Sequence, residues 1–309
     1  KKLQKYGKEI SVVLLDIMMP VMDGFEVLTY MNKSRWIEDI PVIMISSEES
    51  VTYIRRAFEF GASDYIKRPF DGKVVYQRVF NTIKLYAKQR RLISIVSDQI
   101  HEKEKSNQMM VQLLSQIVEF RNGESGQHVL HIQTLTELLL DCLVQKTDKY
   151  ELSSDECYLI STASAVHDIG KIAIDEKILN KPGKLTKEEF EIMKKHTLIG
   201  AEMIGKMEQF KEEPLMQTAY EICRWHHERY DGHGYPDGLK GDDIPIGAQI
   251  VALSDVYDAL VSERVYKSAY THEEAMKMIL NGECGAFQPI LLECLQDIQD
   301  DILEKIHYK

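Results

Sequence analysis

The chain has 309 residues, of which 44% are hydrophobic and 28% charged, and its net charge is -11. That length allows two domains, and the composition is that of a folded globular protein. The acidic balance excludes a general binder of nucleic-acid polymers, which needs a basic face, but bound cations and a few placed Arg or Lys still allow a small anionic ligand. No apolar run approaches the roughly 20 residues that span a bilayer, and the N-terminus lacks a signal-peptide pattern, so no membrane association is expected. Five cysteines without CxxC spacing point to reduced thiols in a cytoplasmic protein, not to a disulfide framework.

Residues 10–70 read as alternating strands and helices. Ser11–Leu15 is a short aliphatic and β-branched run, the pattern of a buried parallel strand, and it ends at Asp16. A turn at Met22-Asp23-Gly24 follows. Pro41–Ile45 is a second such strand and runs into Ser46-Ser47. After a helical stretch come GASDYI and KRPF. With LLDIMMPVMDG and PVIMISS, these segments resemble a response-regulator receiver domain. The resemblance implies that Asp16 is the phosphoacceptor, that Ser46 senses the phosphoryl group, and that a histidine kinase acts upstream. A carboxylate at a strand's C-terminal end suits this, because ligands gather there in open α/β sheets. Two departures stand out. The family has lysine immediately before the proline, whereas here Arg68 holds that position and Lys67 precedes it. The family also begins with a strand, a pair of acidic Mg²⁺ ligands, a helix and a second strand, none of which precedes Asp16. Residues 1–71 are therefore expected to be a receiver-like domain without its first part.

Residues 72–118 read as a long helical connector, with glycine only at its start. Val79, Ile83, Tyr86, Ile93, Ile100, Val111, Leu114 and Val118 recur at spacings near three and four, broken by Arg90, Ser97, Glu104 and Asn107. Imperfect heptads of this kind suit a parallel coiled coil joining two copies of the chain. The alternative is a helix packed on its own domain. From residue 119 to 309 the chain is predominantly helical. Leu130–Leu143, Glu156–Val166, Lys187–Met207, Pro214–His226, Gly247–Val261 and Glu273–Leu280 show helical apolar spacing, with loop breaks at Pro182-Gly183 and Asp231–Gly241.

The helical region carries many metal-ligand residue types. Glu124 and His128 are four residues apart, which places them on one helix face, although an exposed surface pair has the same spacing. His167-Asp168 follows the apolar run Ala163–Val166, and burying ionisable residues there without a partner is costly. His226-His227 is a second doublet. Adjacent helical residues diverge by about 100°, so two such doublets favour a dinuclear or trinuclear centre over a single ion.

HDIGK, the downstream His196, HHERYDGHGYPDGLKGDDIP and SDVYDALVSERVYK occur in an order and spacing that resemble the HD-GYP family within the HD metallophosphohydrolases. The resemblance implies an all-α metallohydrolase domain, and the whole chain a multidomain protein: partial α/β receiver, helical linker, HD domain. It further implies hydrolysis of the 3′–5′ phosphodiester of cyclic di-GMP, to linear pGpG and on to GMP in some members. Carried over by motif, the metal ligands are His128, His167, Asp168, His196, His226, His227 and Asp255. Glu124 stands where some members support a third ion. The expected cofactor is two or three ions of iron or manganese, with which a mixed His and carboxylate set is compatible. Asp168 would span two ions. Lys171 would bind phosphate and neutralise developing charge, and Arg264 and Lys267 would bind the substrate phosphates.

Other residues carry blander expectations. His131, one turn past His128, is read as a surface group, with a place behind the metal ligands as the alternative, and His101, His272 and His307 as solvated. His233 occupies a variable place in the GYP loop. Gly232, Gly234 and Gly238 shape that loop, and Pro236 fixes one φ angle. Gln288 replaces an aspartate common in the family, with a helix cap or a local ion pair as the feature at stake. A non-catalytic module binding nucleotide or protein, and an HD hydrolase of another cyclic dinucleotide, are the competing readings.

Overall fold

The computed structural model describes residues 9–47, 50–122, 127–262 and 269–307. It divides into two compact units, Lys1–Glu104 and Lys105–Lys309.

The first unit is built on a parallel sheet of three strands, β1 (Val13–Asp16), β2 (Val42–Ser46) and β3 (Asp64–Lys67), in that spatial order. Leu15 pairs with Met44, and Ile45 with Ile66. The aliphatic run of β2 is central and buries Val42, Ile43 and Met44 completely, as expected where both faces are covered. Helix α1 (Gly24–Lys33) lays Phe25, Leu28 and Met31 into this core. Its start is fixed by a reciprocal cap: Glu26 N donates to Asp23 Oδ1 at 2.8 Å, and Asp23 N donates to Glu26 Oε2 at 2.9 Å. Helix α2 (Val51–Glu59) lies between β2 and β3 in the chain. Asp16 stands at the C-terminal end of β1, and the Arg68 guanidinium pairs with it at 3.0 Å. The arginine that departs from the family's lysine thus still reaches the strand-end carboxylate.

A single helix, α3 (Gly72–Asn122), follows. Its 51 residues make it about 75 Å long. Within the first unit, Arg78 holds Asp64 at 3.0 Å and Tyr86 bonds Ser63 at 3.0 Å. Within the second unit, Ser115 Oγ donates to Ala165 O at 2.5 Å and Arg121 to Ile174 O at 3.1 Å. Between these attachments residues 91–106 are exposed, Ile93, Val96 and Ile100 among them.

The second unit is helical. Its main elements are α4 (Gln127–Lys146), α5 (Ser154–Ser164), α6 (Lys187–Gly205), α7 (Pro214–Trp225), α8 (Ile246–Val261), α9 (His272–Leu280) and α10 (Pro289–Asp297). Reciprocal Ser/Thr–Glu caps set three starts, at Ser153, Thr186 and Thr271. The capping box explains why α5 begins two residues before its apolar periodicity does. The core gathers Leu135, Leu139 and Leu143 of α4, Ile222 of α7, Ile250, Leu253 and Tyr257 of α8, and Leu291 and Leu295 of α10. Helix α4 packs on α5, α8 and α10 and so fixes His128, in its first turn, against the C-terminal half of α8. Gln288 precedes α10 without capping it through its side chain; its amide donates to Tyr150 Oη and, at 3.0 Å, to Asp242 Oδ1.

Candidate metal centre

Both ligand doublets lie just past helix ends, not inside helices. Helix α5 stops at Ser164, and His167 and Asp168 sit in the turn before a 3₁₀ segment, Ile169–Ala173. Helix α7 stops at Trp225, and His226-His227 form the following turn. The expected 100° divergence of adjacent helical residues therefore does not apply. The apolar run through Val166 reads as helix, but its last residues turn to present the doublet.

Four backbone or carboxylate acceptors orient the imidazoles. His167 Nδ1 is 2.8 Å from Ser164 O, His196 Nδ1 2.7 Å from Met193 O, and His226 Nδ1 2.8 Å from Ile222 O. A carbonyl only accepts, so each Nδ1 carries the hydrogen and each Nε2 is left with a lone pair. His128 Nδ1 is 2.6 Å from Asp258 Oδ2, with the same consequence. The Nε2 atoms converge. His196 Nε2 and His226 Nε2 are 3.4 Å apart, and Asp168 Oδ1 lies 3.2 Å from the first and 3.8 Å from the second. Asp168 Oδ2 is 3.3 Å from His167 Nε2 and 2.5 Å from Lys171 Nζ. His128 Nε2 is 3.9 Å from Asp255 Oδ1.

Two groups result: Asp168, His196, His226 and His227, and His128, His167 and Asp255, each with its ligand atoms within 4.8 Å of one another. Ligand atoms about 2.1 Å from a shared ion lie up to about 4.2 Å apart, so small side-chain adjustments close either pocket on a cation. The donor set fits such an ion. Two Nε2 lone pairs facing each other at 3.4 Å repel unless a positive charge lies between them. His167 Nε2 and Asp168 Oδ1 are buried without a hydrogen-bond partner among the described residues. Asp168, with an oxygen toward each group, lies between the two.

The electrostatics agree with this arrangement. Burial, reinforced by His167 and His196, pulls His226 down to about 3, and burial likewise lowers His227 and His196. These imidazoles are neutral, the form that ligates. Burial opposes ionisation of Asp168, but Lys171, His167 and His196 outweigh it and hold the carboxyl well below the usual range. Asp255 is lowered too: burial opposes, while His167 and His128 overcome it. For His167 burial favours the neutral form, yet Asp168 and Asp255 raise it.

A pH prediction follows for the ion-free protein. Folded His226 titrates near 3 and an unfolded histidine near 6.5, so between these values the unfolded chain binds more protons. Stability from His226 is full above pH 6.5 and falls by up to about 1.4 kcal/mol per pH unit toward pH 3. His227 and His196 act in the same direction, His167 in the opposite one. Chelated protein should melt at progressively lower temperature from pH 7.5 to 5, and His226→Asn should flatten that slope. An equal slope in the variant would reject the assignment.

The GYP loop is anchored beside the cluster. Glu228, which the motif reading left without a role, is buried and accepts from Asp237 N at 2.8 Å and Gly238 N at 3.0 Å. Asp237 in turn accepts from Arg224 at 2.8 and 2.9 Å and from Trp225 Nε1 at 2.8 Å. Gly234 is required by close approach, because a Cβ there would meet Arg229 N at 2.3 Å. The Tyr235 ring lies over His227, with centroids 4.8 Å apart.

Several expectations need correction. His131 is not a surface group: its Nδ1 is 2.7 Å from Asp258 Oδ1. His272 is not solvated but buried, with its Nδ1 2.6 Å from Tyr257 Oη. His101 is exposed, as expected, and so is His233 in the GYP loop. Asp258, quoted within SDVYDAL but given no role, is the residue the sequence reading missed. Its signal was a second carboxylate three residues after Asp255 on an otherwise apolar helix, which demands a buried partner. Glu124, Arg264 and Lys267 lie outside the described residues, as does the side chain of His307.

Comparison with known proteins agrees with this geometry. Residues 108–284 match the HD domain family and residues 2–80 the response regulator receiver domain. A probable cyclic di-GMP phosphodiesterase of Vibrio cholerae is 38% identical over 295 residues, covering 92% of this chain and 67% of that protein. The cyclic di-GMP phosphodiesterase response regulator RpfG of Xanthomonas campestris is 33% identical, covering 93% and 75%. A cyclic di-GMP phosphodiesterase of Thermotoga maritima is 31% identical, covering 98% and 83%. With receiver strands, a helical HD unit and the His/Asp cluster all in place, the chain belongs to the HD-GYP family of HD-domain phosphodiesterases, here joined to a response-regulator receiver domain.

Proposed function

We propose that the protein is a metal-dependent phosphodiesterase that opens cyclic di-GMP to linear pGpG, and on to GMP, with its receiver domain as the input. The observation that carries the metal-dependent chemistry is the convergence of imidazole lone pairs, each fixed from behind, on Asp168. The substrate rests on the names of relatives that match along most of this chain.

Asp168, His196, His226 and His227 would hold one ion, His128, His167 and Asp255 another, with Asp168 between them. Iron or manganese suits this mixed nitrogen and oxygen set, and Glu124 would serve a third ion. Bound there, divalent ions supply the Lewis acidity that lowers a water's pKa and withdraws charge from the phosphate. The chain's own residues do the rest. The Nδ1 bonds keep the imidazoles in the ligating tautomer before substrate arrives. Lys171, whose ammonium is already at the rim of the cluster, would take a phosphate oxygen and offset charge as it builds. Arg264 and Lys267 would hold the other phosphate oxygens. Tyr235, whose phenol burial pushes upward, stays neutral and covers His227 from water. In the reaction a water oxygen bonds to phosphorus, the P–O3′ bond breaks, and the 3′ oxygen gains a proton.

Asp16 would accept a phosphoryl group from a histidine kinase, and the exposed seam of α3 would pair with a second copy of the chain. No helix among the described residues is long and apolar enough to cross a membrane; we place the enzyme in the cytoplasm.

The test is anaerobic metal analysis together with turnover of cyclic di-GMP. Protein loaded with iron or manganese should release pGpG. Absence of turnover with both would reject the reading, and tight nucleotide binding without turnover would select a non-catalytic module. A hybrid cyclic dinucleotide assayed in parallel shows whether guanine is required at both positions. Equal rates and oligomer distributions with and without a phosphoryl mimic would remove the receiver's role.

A further inference from the structure

We infer that Asp258 is a positioning residue for the His128–His167–Asp255 pocket, acting through His128 and held in place by His131. The inference rests on the metal-dependent reading above. Asp258 is 1% exposed, and both of its oxygens face imidazoles: Oδ2 to His128 Nδ1 at 2.6 Å and Oδ1 to His131 Nδ1 at 2.7 Å. An ionised carboxylate only accepts, so both nitrogens carry hydrogen. His128 must then present a lone pair at Nε2, which faces Asp255 at 3.9 Å.

The geometry is specific to this pocket. Asp255 and Asp258 are three residues apart on α8 and lie on one face. The His128 ring is gripped between them, one carboxylate behind it and one beside its ligating nitrogen. His167, His196 and His226 are backed by main-chain carbonyls instead. A carboxylate behind an imidazole makes its far nitrogen more basic than a carbonyl does, and fixes ring and tautomer more firmly. His131 completes the arrangement. A carboxylate this buried is costly unless both oxygens are satisfied. His128 and His131 are one turn apart on α4, so Asp258 ties two points of that helix to α8. The dependence of the two ion pockets on Asp258 should therefore differ: one is built on it and the other is not.

The test uses the full chain with Asp258→Asn, Asp258→Ala and His131→Gln. Manganese is the probe, followed by calorimetric titration, metal analysis after gel filtration, and electron paramagnetic resonance. Asp258→Ala should lose one ion per chain while the affinity of the remaining ion changes by less than about twofold, and the resonance of coupled ions should give way to that of an isolated one. Asp258→Asn should weaken one ion by about 10- to 100-fold, with turnover recovered at high manganese. His131→Gln should do the same to a smaller degree. A merely structural defect would not be rescued by metal. Variants that match the parent in stoichiometry and affinity would overturn the assignment. So would loss of both ions together, or Asp258→Asn turnover that added manganese fails to restore. Should Asp258→Ala not fold, the volume-conserving Asp258→Asn and His131→Gln decide. A parent that binds no manganese overturns the metal reading itself, and this assignment with it.

Discussion

Asp168→Asn is expected to abolish turnover, by at least about 10³-fold, and to strip most of the bound metal. The scale follows from removing charge stabilisation at the centre of a buried site, where even a single donor is worth about 10²–10³-fold. Three features make the carboxylate irreplaceable. Its two oxygens face different groups, His196 and His226 on one side and His167 on the other. It is the anion that balances the Lys171 ammonium at 2.5 Å. It is also held ionised against its burial by Lys171 and the histidines. An asparagine amide has the same shape but one acceptor oxygen and an NH₂ group. That group would face either an imidazole lone pair or the Lys171 ammonium. Metal content and cyclic di-GMP turnover, measured on the same preparation with its melting curve, check the prediction. Parental metal content with more than a tenth of parental activity would sink it.

What was legible in the sequence divides by physical range. Strand β2 is an aliphatic run whose burial follows from composition alone, whereas in β1 the same pattern buries only Leu15 and leaves Leu14 exposed. The starts of α5, α6 and α9 are written locally as Ser or Thr with Glu three residues on. Ligand residue types were legible because they sit in dense motifs, and the described ones do gather into two groups. What was not legible depends on contacts across the fold. The local pattern around Asp258 says only that a carboxylate on an apolar helix needs a buried partner; which partner comes from His128 and His131, about 130 residues earlier in the chain. His131 was assigned to the surface because helical spacing gives a face but not what covers it. His272 was assigned to solvent for the same reason, whereas Tyr257 covers it. The two ligand doublets read as helical because apolar periodicity runs on past the point where the backbone turns.

Gly170 is the clearest case of a residue whose role only the tertiary structure reveals, and its substitution carries the second large effect. In HDIGK it stands between Asp168 and Lys171. In the structure the 3₁₀ segment Ile169–Ala173 crosses α6 there, with Gly200 opposite. A Cβ on Gly170 would lie 1.9 Å from His196 O and 2.5 Å from Gly200 N, both main-chain atoms that no rotamer change can move. Gly170→Ala must therefore push α6 away from the turn that carries Asp168. Overpacking usually costs about 1–3 kcal/mol, and collision with main-chain atoms of α6 belongs at or beyond the upper end. For a unit of this size about 3 kcal/mol corresponds to a melting temperature roughly 6–12 °C lower. The displacement also separates His196 Nε2 from Asp168 Oδ1, now 3.2 Å apart, so metal affinity should fall together with stability. Gly72→Ala is the control, because nothing lies within 4 Å of a Cβ built there. Calorimetric melting with and without manganese should show a large drop for Gly170→Ala, a smaller metal-induced gain than in the parent, and parental behaviour for Gly72→Ala. A melting temperature within about 2 °C of the parent would mean that the turn and α6 can part at low cost. The close crossing would then not be what holds His196 against Asp168.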